Sequence, residues 1–231
     1  MTTQFVPDPD AAVAAIPDGA SVMIGGFGVA GQPVELIEAL VRSGARNLTV
    51  VNNNAGNGDE GLAALIAAGR VRRIICSFPR QRDSHHFDAR YRAGEIELEL
   101  VPQGNLAERI RAGGAGIGGF FTPTGYGTLL AEGKETREID GRQYVFELPL
   151  TADFALIKAH RADGMGNLTY RKTARNFGPV MATAARHTIV QVSEVVPTGG
   201  IDPEVVVTPG IFVDTVVEVP SAKAAPEEDG Q

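Results

Sequence analysis

The chain of 231 residues has one cysteine, no long apolar run and no cluster of basic residues. One cysteine excludes an intramolecular disulfide and fits a reducing compartment. No apolar run approaches the roughly 20 residues of a membrane-spanning helix, and the amino terminus lacks the basic and apolar regions of a secretory signal. The net charge of −7, without a basic run, argues against nucleic acid and anionic membrane surfaces as partners. These absences predict a cytoplasmic protein without a nucleic-acid or membrane partner.

What the sequence does contain is an alternation of strand and helix patterns over its first half. Strands are predicted at the apolar runs 21–24, 48–51 and 73–77, and helices over 33–40, 61–68 and up to 93. Residues 95–100 alternate acidic and apolar side chains, which indicates a strand near a sheet edge. This order predicts an α/β fold with three α/β/α layers around a mainly parallel, Rossmann-like sheet.

The second half is richer in glycine and its strand signals are less regular. Asn105 and Glu108 have the spacing of a capping box, which predicts a helix start at Asn105. Asp140-Gly141 is typical of a type I′ turn and predicts a hairpin over 138–146. Further predicted elements are strands over 154–159, 188–192 and 211–219 and a helix over 175–185. We predict one domain over residues 1–220, followed by a disordered acidic tail over 221–231.

The glycine-rich segment after the strand at 21–24 is the first candidate site. Residues 26–31 have the spacing Gly-x-Gly-x-x-Gly between a strand and a helix, where a dinucleotide fingerprint lies. Glycine permits positive φ and close approach of a ligand, and the backbone N–H groups of such a turn attract anions. A pyrophosphate of NAD or of coenzyme A, a thioester oxyanion, or no ligand at all is compatible with this turn.

A second requirement argues against NAD. The dinucleotide fingerprint needs an acidic residue about 20 residues further on, at the end of the second strand, to bind the ribose hydroxyls. Asn52, Asn53 and Asn54 occupy that strand end, and the next carboxylate is that of Asp59. The hypothesis of a dinucleotide-dependent oxidoreductase is therefore weakened.

A wider stretch resembles a known family. Residues 18–33, Asp-Gly-Ala-Ser-Val-Met-Ile-Gly-Gly-Phe-Gly-Val-Ala-Gly-Gln-Pro, meet every defined position of the first signature of the family I (3-oxoacid) CoA-transferases. The resemblance continues through 53–56, 102–116, 121–124 and 174–177, and it covers roughly residues 5–220. It is therefore far more specific than one glycine motif. The family has two types of subunit, A and B, and the chain is similar to the A-type subunit.

The resemblance implies a heteromeric transferase that moves CoA from succinyl-CoA to a 3-oxoacid. In this family a glutamate of the B-type subunit, within a Ser-Glu-Asn-Gly motif, attacks the acyl-CoA and passes through an anhydride to a glutamyl-CoA thioester. This chain lacks that motif, and Glu194 in its nearest string is expected to be a structural or surface carboxylate. No catalytic nucleophile is expected here, and the expected partner is a similarly folded B-type subunit that carries the motif.

This chain is expected to supply binding groups for the substrates. By resemblance, the CoA-binding residues are Gly25, Gly26, Phe27, Gly28, Val29, Ala30 and Gly31. Gln103 matches a family glutamine that reaches the substrate region, and Asn53 and Asn54 are expected nearby, although asparagine also suits an ordinary turn. Coenzyme A enters as the substrate thioester, and no permanently bound cofactor is expected.

Residues 76–84 resemble the 3-oxoadipate branch of the family more than the acetoacetate branch. A dicarboxylic acid needs a second anion site, for which Arg80 or Arg82 is a candidate, while a solvated loop arginine is an equal alternative. We therefore predict 3-oxoadipate, an intermediate of aromatic catabolism by the β-ketoadipate pathway, as the acceptor, with acetoacetate or another 3-oxoacid as the alternative. A sugar-phosphate isomerase, for which no acid–base pair is evident, and a non-catalytic CoA-binding module are less favoured.

Two other residue types have no predicted role in the reaction. His85 and His86 are adjacent, but neighbouring side chains diverge on a helix and no carboxylate or cysteine cluster joins them, so no metal is predicted. Cys76 lies in an apolar strand and is expected to be a buried, inert thiol.

Overall fold

The computed structural model describes residues 2–220, so the predicted tail at 221–231 lies outside the described residues. The strands are β1 (Gln4–Val6), β2 (Ser21–Ile24), β3 (Leu48–Val51), β4 (Val71–Cys76), β5 (Glu97–Leu100), β6 (Phe120–Thr122), β7 (Thr136–Ile139), β8 (Arg142–Glu147), β9 (Ala152–Asp163), β10 (Leu168–Thr169), β11 (Ala185–Val196) and β12 (Thr215–Glu218). The α-helices are α1 (Pro9–Val13), α2 (Val34–Ser43), α3 (Leu62–Ala67), α4 (His85–Arg92), α5 (Gln103–Gly114) and α6 (Gly178–Ala184). Within this range no helix is long and apolar enough to cross a membrane.

The main sheet has nine strands and is almost entirely parallel. Its order is β1-β12-β11-β9-β2-β3-β4-β5, and β10 pairs with β9 in the antiparallel sense. From β2 the chain moves outward to β3, β4 and β5, and it then returns to β9 on the other side of β2. The strand order therefore reverses between β2 and β9, and such a switch point opens a crevice at the carboxyl ends of the strands.

Two apolar cores lie on opposite faces of this sheet. Val22 and Ile24 of β2 belong to one core, together with buried residues of α1 to α4, whereas Met23 belongs to the other core, with residues of α5 and α6. Successive side chains of a strand point to opposite faces, so alternate residues of one strand serve both cores. The predicted three-layer α/β/α architecture is confirmed.

The predicted edge strand is confirmed as well. β5 pairs only with β4, at the end of the sheet. Its acidic side chains pair with basic neighbours: Glu97 lies 3.1 Å from Arg72, and Glu99 lies 2.8 Å from Arg109. Burial opposes ionisation of Glu99, but the hydrogen bonds and charges of Arg109 and Arg73 lower its pKa. The charged face of the period-two pattern is therefore satisfied by ion pairs.

A second, antiparallel sheet of order β6-β8-β7 is joined to α5 by a buried carboxylate. The predicted type I′ hairpin is confirmed, because Asp140 and Gly141 have φ of 49° and 73°. Glu147 of β8 is buried and accepts from Lys134 Nζ at 2.7 Å and from Asn105 Nδ2 at 3.2 Å. A buried charge needs such partners, since an unpaired one is strongly destabilising.

The predicted capping box at Asn105 is wrong. Helix α5 begins at Gln103 with Pro102 as its N-cap residue, and Pro102 has φ of −52°. The Asn105 side chain is buried inside the helix and donates to Thr124 O at 3.3 Å as well as to Glu147, while Glu108 pairs with Arg111. Tertiary partners far along the chain therefore take the side chain that the local pattern assigned to a cap.

Two predicted elements near the carboxyl end are interrupted. The helix predicted over 175–185 consists of a 3-10 helix at Lys172–Arg175 and the separate helix α6, because Asn176 breaks the backbone with φ of 13° and ψ of −114°. The strand predicted over 211–219 begins as a 3-10 helix at Gly210–Phe212, and β12 starts only at Thr215.

Candidate functional site

The sequence-predicted site residues lie along one edge of the main sheet. The segment Gly25 to Gly31, called the glycine turn here, follows β2; Asn53 and Asn54 follow β3, and Arg80 follows β4. Gln103 begins α5 directly after β5. Because β2 to β5 are consecutive parallel neighbours, these groups all leave the sheet at its carboxyl edge.

The glycine turn is a tight loop closed by its own backbone. Phe27 N donates to Ala30 O at 3.0 Å, and Ala30 N donates back to Phe27 O at 3.2 Å. Gly25 N donates to Leu156 O at 2.9 Å, in line with the sheet, and Gly26 N donates to Asn176 Oδ1 at 3.2 Å. Four N–H groups of the predicted CoA-binding segment are thus already bound within the protein.

The remaining N–H groups of the turn have no acceptor in the described part of the chain. They belong to Gly28, Val29 and Gly31. Gly28 has φ of 61° and open space around it, and the Val29 side chain is 78% exposed. A ligand that binds this segment through backbone donors therefore has these three groups available to it.

The start of helix α2 is not an open anion site. Val34 N donates to Gln32 O at 3.0 Å, and Leu36 N donates to the buried Gln191 Oε1 at 3.3 Å. In a dinucleotide fold the pyrophosphate lies at this helix terminus. Here protein amide groups occupy it, which is a structural argument against the NAD hypothesis.

The three asparagines after β3 are buried and have different roles. Asn52 Nδ2 donates to Ile24 O at 2.6 Å, so it ties β3 to β2 at the position where NAD binding needs a carboxylate. Asn53 Oδ1 accepts from Ser77 Oγ at 2.6 Å and thereby links β3 to the end of β4. Asn54 Oδ1 accepts from Gly56 N at 2.9 Å, but its buried Nδ2 has no partner within the described residues. Since an unpaired buried donor costs about 1–3 kcal/mol, Asn54 is the asparagine best suited to meet a ligand.

Gln103 and Arg80 differ in how free their side chains are. Gln103 is exposed at the first position of α5, and no hydrogen bond of its side chain exists within residues 2–220. Arg80 pairs with Asp88 at 2.5 Å, and that hydrogen bond raises the pKa of its guanidinium. Arg82 is exposed and has no ion pair among the described residues. The substrate-facing roles of Gln103 and Arg80 stay predictions.

Asn176 holds the glycine turn in place, a role that no sequence pattern indicates. Its Nδ2 donates to Ala30 O at 2.9 Å and to Thr173 O at 2.8 Å, and its Oδ1 accepts from Gly26 N and from Phe177 N. One amide thus joins both arms of the turn to the segment before α6. The only sequence signal for this residue is its place in the family stretch 174–177.

A cavity of about 620 Å³ adjoins the turn at Ala30, beside the ends of β9 and β11. Four basic side chains line it, those of Lys158, His160, Arg171 and Lys172. Their charge favours an anionic group, and they come from three separate segments, so no sequence motif marks them. Glu194 also lines the cavity and pairs with Arg161 at 2.6 Å, as expected of a structural carboxylate.

The geometric reason for dismissing His85 and His86 is wrong, whereas the expectation for Cys76 holds. Both histidine Nε2 atoms lie against Asp59 Oδ1, and hydrogen bonds from His86 and His85 lower the pKa of that carboxyl group. The loop that carries Asp59 is held beside the start of α4, where Ser84 Oγ donates to Gly56 O at 2.9 Å. Cys76 is buried, and burial raises the pKa of its thiol to about 12, so it is inert at neutral pH.

We expect Asn176→Asp to destabilise the chain. The aspartate keeps the acceptor for Gly26 N, but it sets a second carboxylate oxygen against the carbonyls of Ala30 and Thr173, in place of two donated hydrogen bonds. The free energy of unfolding, measured with urea, should fall by about 1–3 kcal/mol.

The matched control for that substitution is Asn57→Asp. Asn57 Oδ1 accepts from Asp83 N at 3.0 Å, and its Nδ2 donates to nothing within the described residues. The control should change stability by less than about 0.5 kcal/mol. Equal effects of the two substitutions would show that the Asn176 amide does not hold the turn.

A doubly wound α/β sheet, with polar and glycine-rich loops at the carboxyl edge beside its switch point, defines the chain as an α/β ligand-binding protein. Residues 6–219 match the family model described as coenzyme A transferase. The chain therefore belongs to the coenzyme A transferase family, and the recognition from its signature residues is confirmed.

Two relatives and one solved structure refine this placement. The chain is 67% identical over 214 residues to the A-type subunit of a 3-oxoadipate CoA-transferase of Pseudomonas putida, covering 93% of each chain. It is 65% identical over 217 residues to the corresponding subunit of the enzyme of the same name from Acinetobacter baylyi, covering 93% of this chain and 95% of that one. The apoenzyme of an acyl-CoA transferase from Escherichia coli O157:H7 matches the fold with a TM-score of 0.84 at 24% identity, over 94% of this chain. The match covers 47% of the Escherichia coli chain, so the present chain spans about half of that enzyme.

Proposed function

We propose that the chain is the A-type subunit of a cytoplasmic enzyme that moves CoA from succinyl-CoA to 3-oxoadipate. The observation that carries the proposal is the 67% identity to the A-type subunit of a 3-oxoadipate CoA-transferase, which extends over 93% of both chains. Relatives named for succinyl-CoA:3-ketoacid transfer are less similar, at 53% identity over 91% of this chain. Acetoacetate or another 3-oxoacid is the alternative acceptor.

The nucleophile of the proposed reaction comes from a second chain. This sequence has no Ser-Glu-Asn-Gly motif, and it spans about half of the Escherichia coli acyl-CoA transferase. In the proposed steps the partner's glutamate attacks the succinyl thioester and expels CoA thiolate, which leaves a mixed anhydride. The thiolate then attacks the glutamyl carbonyl and releases succinate, and the acceptor acid repeats the two steps in reverse.

This chain contributes binding and stabilisation in the proposed mechanism. Negative charge develops on a carbonyl oxygen each time a thioester or anhydride is attacked, and oriented donors that meet this charge lower the barrier. The unpaired N–H groups of Gly28 and Val29, the Asn54 amide and the exposed Gln103 amide are the donors that the carboxyl edge offers. Amides suit this task because they donate without competing as nucleophiles.

Local positive charge at the edge offsets the acidity of the whole chain. Succinyl-CoA and 3-oxoadipate are both anions, and a net charge of −7 repels them at long range. The basic cavity beside Ala30, with Lys158, Arg171 and Lys172, provides attraction next to the glycine turn. In the proposal this cavity guides the anionic substrates to the edge.

The acceptor is tested by a comparison of two acids with succinyl-CoA as the donor. The purified chain is mixed with its partner and assayed with 3-oxoadipate and with acetoacetate. We expect kcat/KM for 3-oxoadipate to be at least about tenfold higher, since one additional charge-assisted hydrogen bond to the distal carboxylate is worth about 1.5 kcal/mol or more. A higher value for acetoacetate would transfer the assignment to the alternative acceptor, and no transfer to either acid would contradict the proposed function.

A further inference from the structure

A second cluster of chemically competent side chains lies outside the groups assigned to CoA transfer. It consists of Asp59, in the loop before α3, and His85 and His86, the first two residues of α4. His85 Nε2 lies 3.1 Å from Asp59 Oδ1, and His86 Nε2 lies 2.8 Å from the same oxygen. Three ligand atoms, one from each residue, all lie within 4.8 Å of one another.

The geometry points to a binding site for one divalent ion of the Zn²⁺ class, held by Asp59, His85 and His86. Such an ion binds imidazole nitrogen and carboxylate oxygen at about 2.0–2.2 Å. Two ligands at a right or tetrahedral angle are then about 2.9–3.4 Å apart. The measured separations of 3.1 Å and 2.8 Å lie in that range or within about 0.1 Å of it.

Hydrogen bonding alone gives this arrangement little stability. Asp59 is 79% exposed at its side chain, and pairs in contact with water contribute about 0–1 kcal/mol. The two imidazole rings lie 4.1 Å apart between centroids, both directed at one oxygen. A cation between the three groups replaces the hydrogens on the two Nε2 atoms and accepts from both lone pairs, with Nδ1 then carrying the proton of each ring.

The ligand set selects the class of ion. Two imidazoles and one carboxylate suit Zn²⁺, Ni²⁺, Co²⁺ or Cu²⁺, whereas Mg²⁺ and Ca²⁺ prefer sites made of oxygen alone. Three protein ligands leave further coordination positions to water or to another donor. The His85 and His86 side chains are 55% and 31% exposed, so an ion has access from solvent.

The neighbouring loops support the cluster. Gly58 N donates to Asp83 O and Asp83 N donates to Asn57 Oδ1, each at 3.0 Å, so the loop of Asp59 is fastened to the residues before α4. Asp59 also lines a cavity of about 290 Å³ whose other walls include Gly28 and Val29. An ion held by Asp59 therefore adds positive charge near the glycine turn, although its binding does not depend on the proposed transfer of CoA.

The site is tested with the untagged full chain, freed of metal by a chelator and titrated with Zn²⁺ in a calorimeter. We expect one equivalent to bind with a Kd of about 10 µM or tighter. Asp59→Asn and His86→Gln should each weaken the affinity by at least about tenfold. The control Glu60→Gln removes the adjacent exposed carboxylate and should leave the affinity within about twofold, because Glu60 is not a member of the cluster.

Two results would overturn the site. One is a wild-type chain that binds no Zn²⁺ tighter than about 1 mM. The other is an equal affinity of wild type, Asp59→Asn and His86→Gln, which would place any bound zinc elsewhere. The urea unfolding midpoint of each metal-free variant is measured alongside, and the exposed positions of these side chains predict unchanged midpoints.

Discussion

The chain on its own should transfer no CoA, and addition of its partner should raise the rate by at least about 10³-fold. Loss of a covalent nucleophile lowers enzymatic rates by factors of about 10⁴–10⁶, and the described edge supplies amide and N–H donors rather than a nucleophile. The measurement follows succinyl-CoA consumption in the presence of 3-oxoadipate, first with the chain alone and then with increasing amounts of the partner.

The control for this prediction is a partner whose motif glutamate is replaced by glutamine. That mixture should form the same complex and show the low rate of the isolated chain. Turnover by the chain alone at the rate of the mixture would show that the reactive group lies in this chain.

Gly31→Ala should destabilise the chain and remove most of its activity in the complex. Gly31 has φ of 75°, and a Cβ there would overlap the carbonyl oxygen of Ala174 and lie 2.8 Å from Asn176 Nδ2. Left-handed backbone and overpacking each cost about 1–3 kcal/mol, so we expect a loss of about 2–5 kcal/mol in the free energy of unfolding. The backbone shift also displaces the adjacent N–H groups, so kcat/KM should fall at least about tenfold.

Gly28→Ala is the matched control in the same turn. Gly28 has φ of 61°, but nothing lies within 4 Å of the Cβ that the substitution adds. Only the backbone preference is lost, which costs about 1–2 kcal/mol. Urea unfolding of both variants measures the difference. An equal loss of stability in the two variants would mean that close packing of the turn against Ala174 and Asn176 does not matter.

The sheet was predictable from the sequence because its strands are buried on both faces. The central strands β2, β3 and β4 are read directly as short apolar runs, and β5 is read as an alternating edge strand. The beginning of α5 was not predictable, because the partners of Asn105 lie 19 and 42 residues away along the chain. Local patterns predict caps, and long-range hydrogen bonds override them.

The candidate site was predictable in its location and not in its wiring. The glycine turn and the strand-end asparagines follow from the motif and from parallel topology. The N–H groups that remain unpaired depend on Asn176, which lies 150 residues from Gly26. The approach of Asp59 to His85 across 26 residues likewise depends on two loops that pack together. Such contacts leave no signal in a single sequence.

The most direct test of the two-chain account is to locate the covalent intermediate. The chain and its partner are mixed with succinyl-CoA, digested and analysed by mass spectrometry for peptides that carry CoA. The account predicts a thioester on the glutamate of the partner's Ser-Glu-Asn-Gly motif and an unmodified chain here. A CoA adduct on a carboxylate of this chain, such as Glu194 beside the basic cavity, would contradict it.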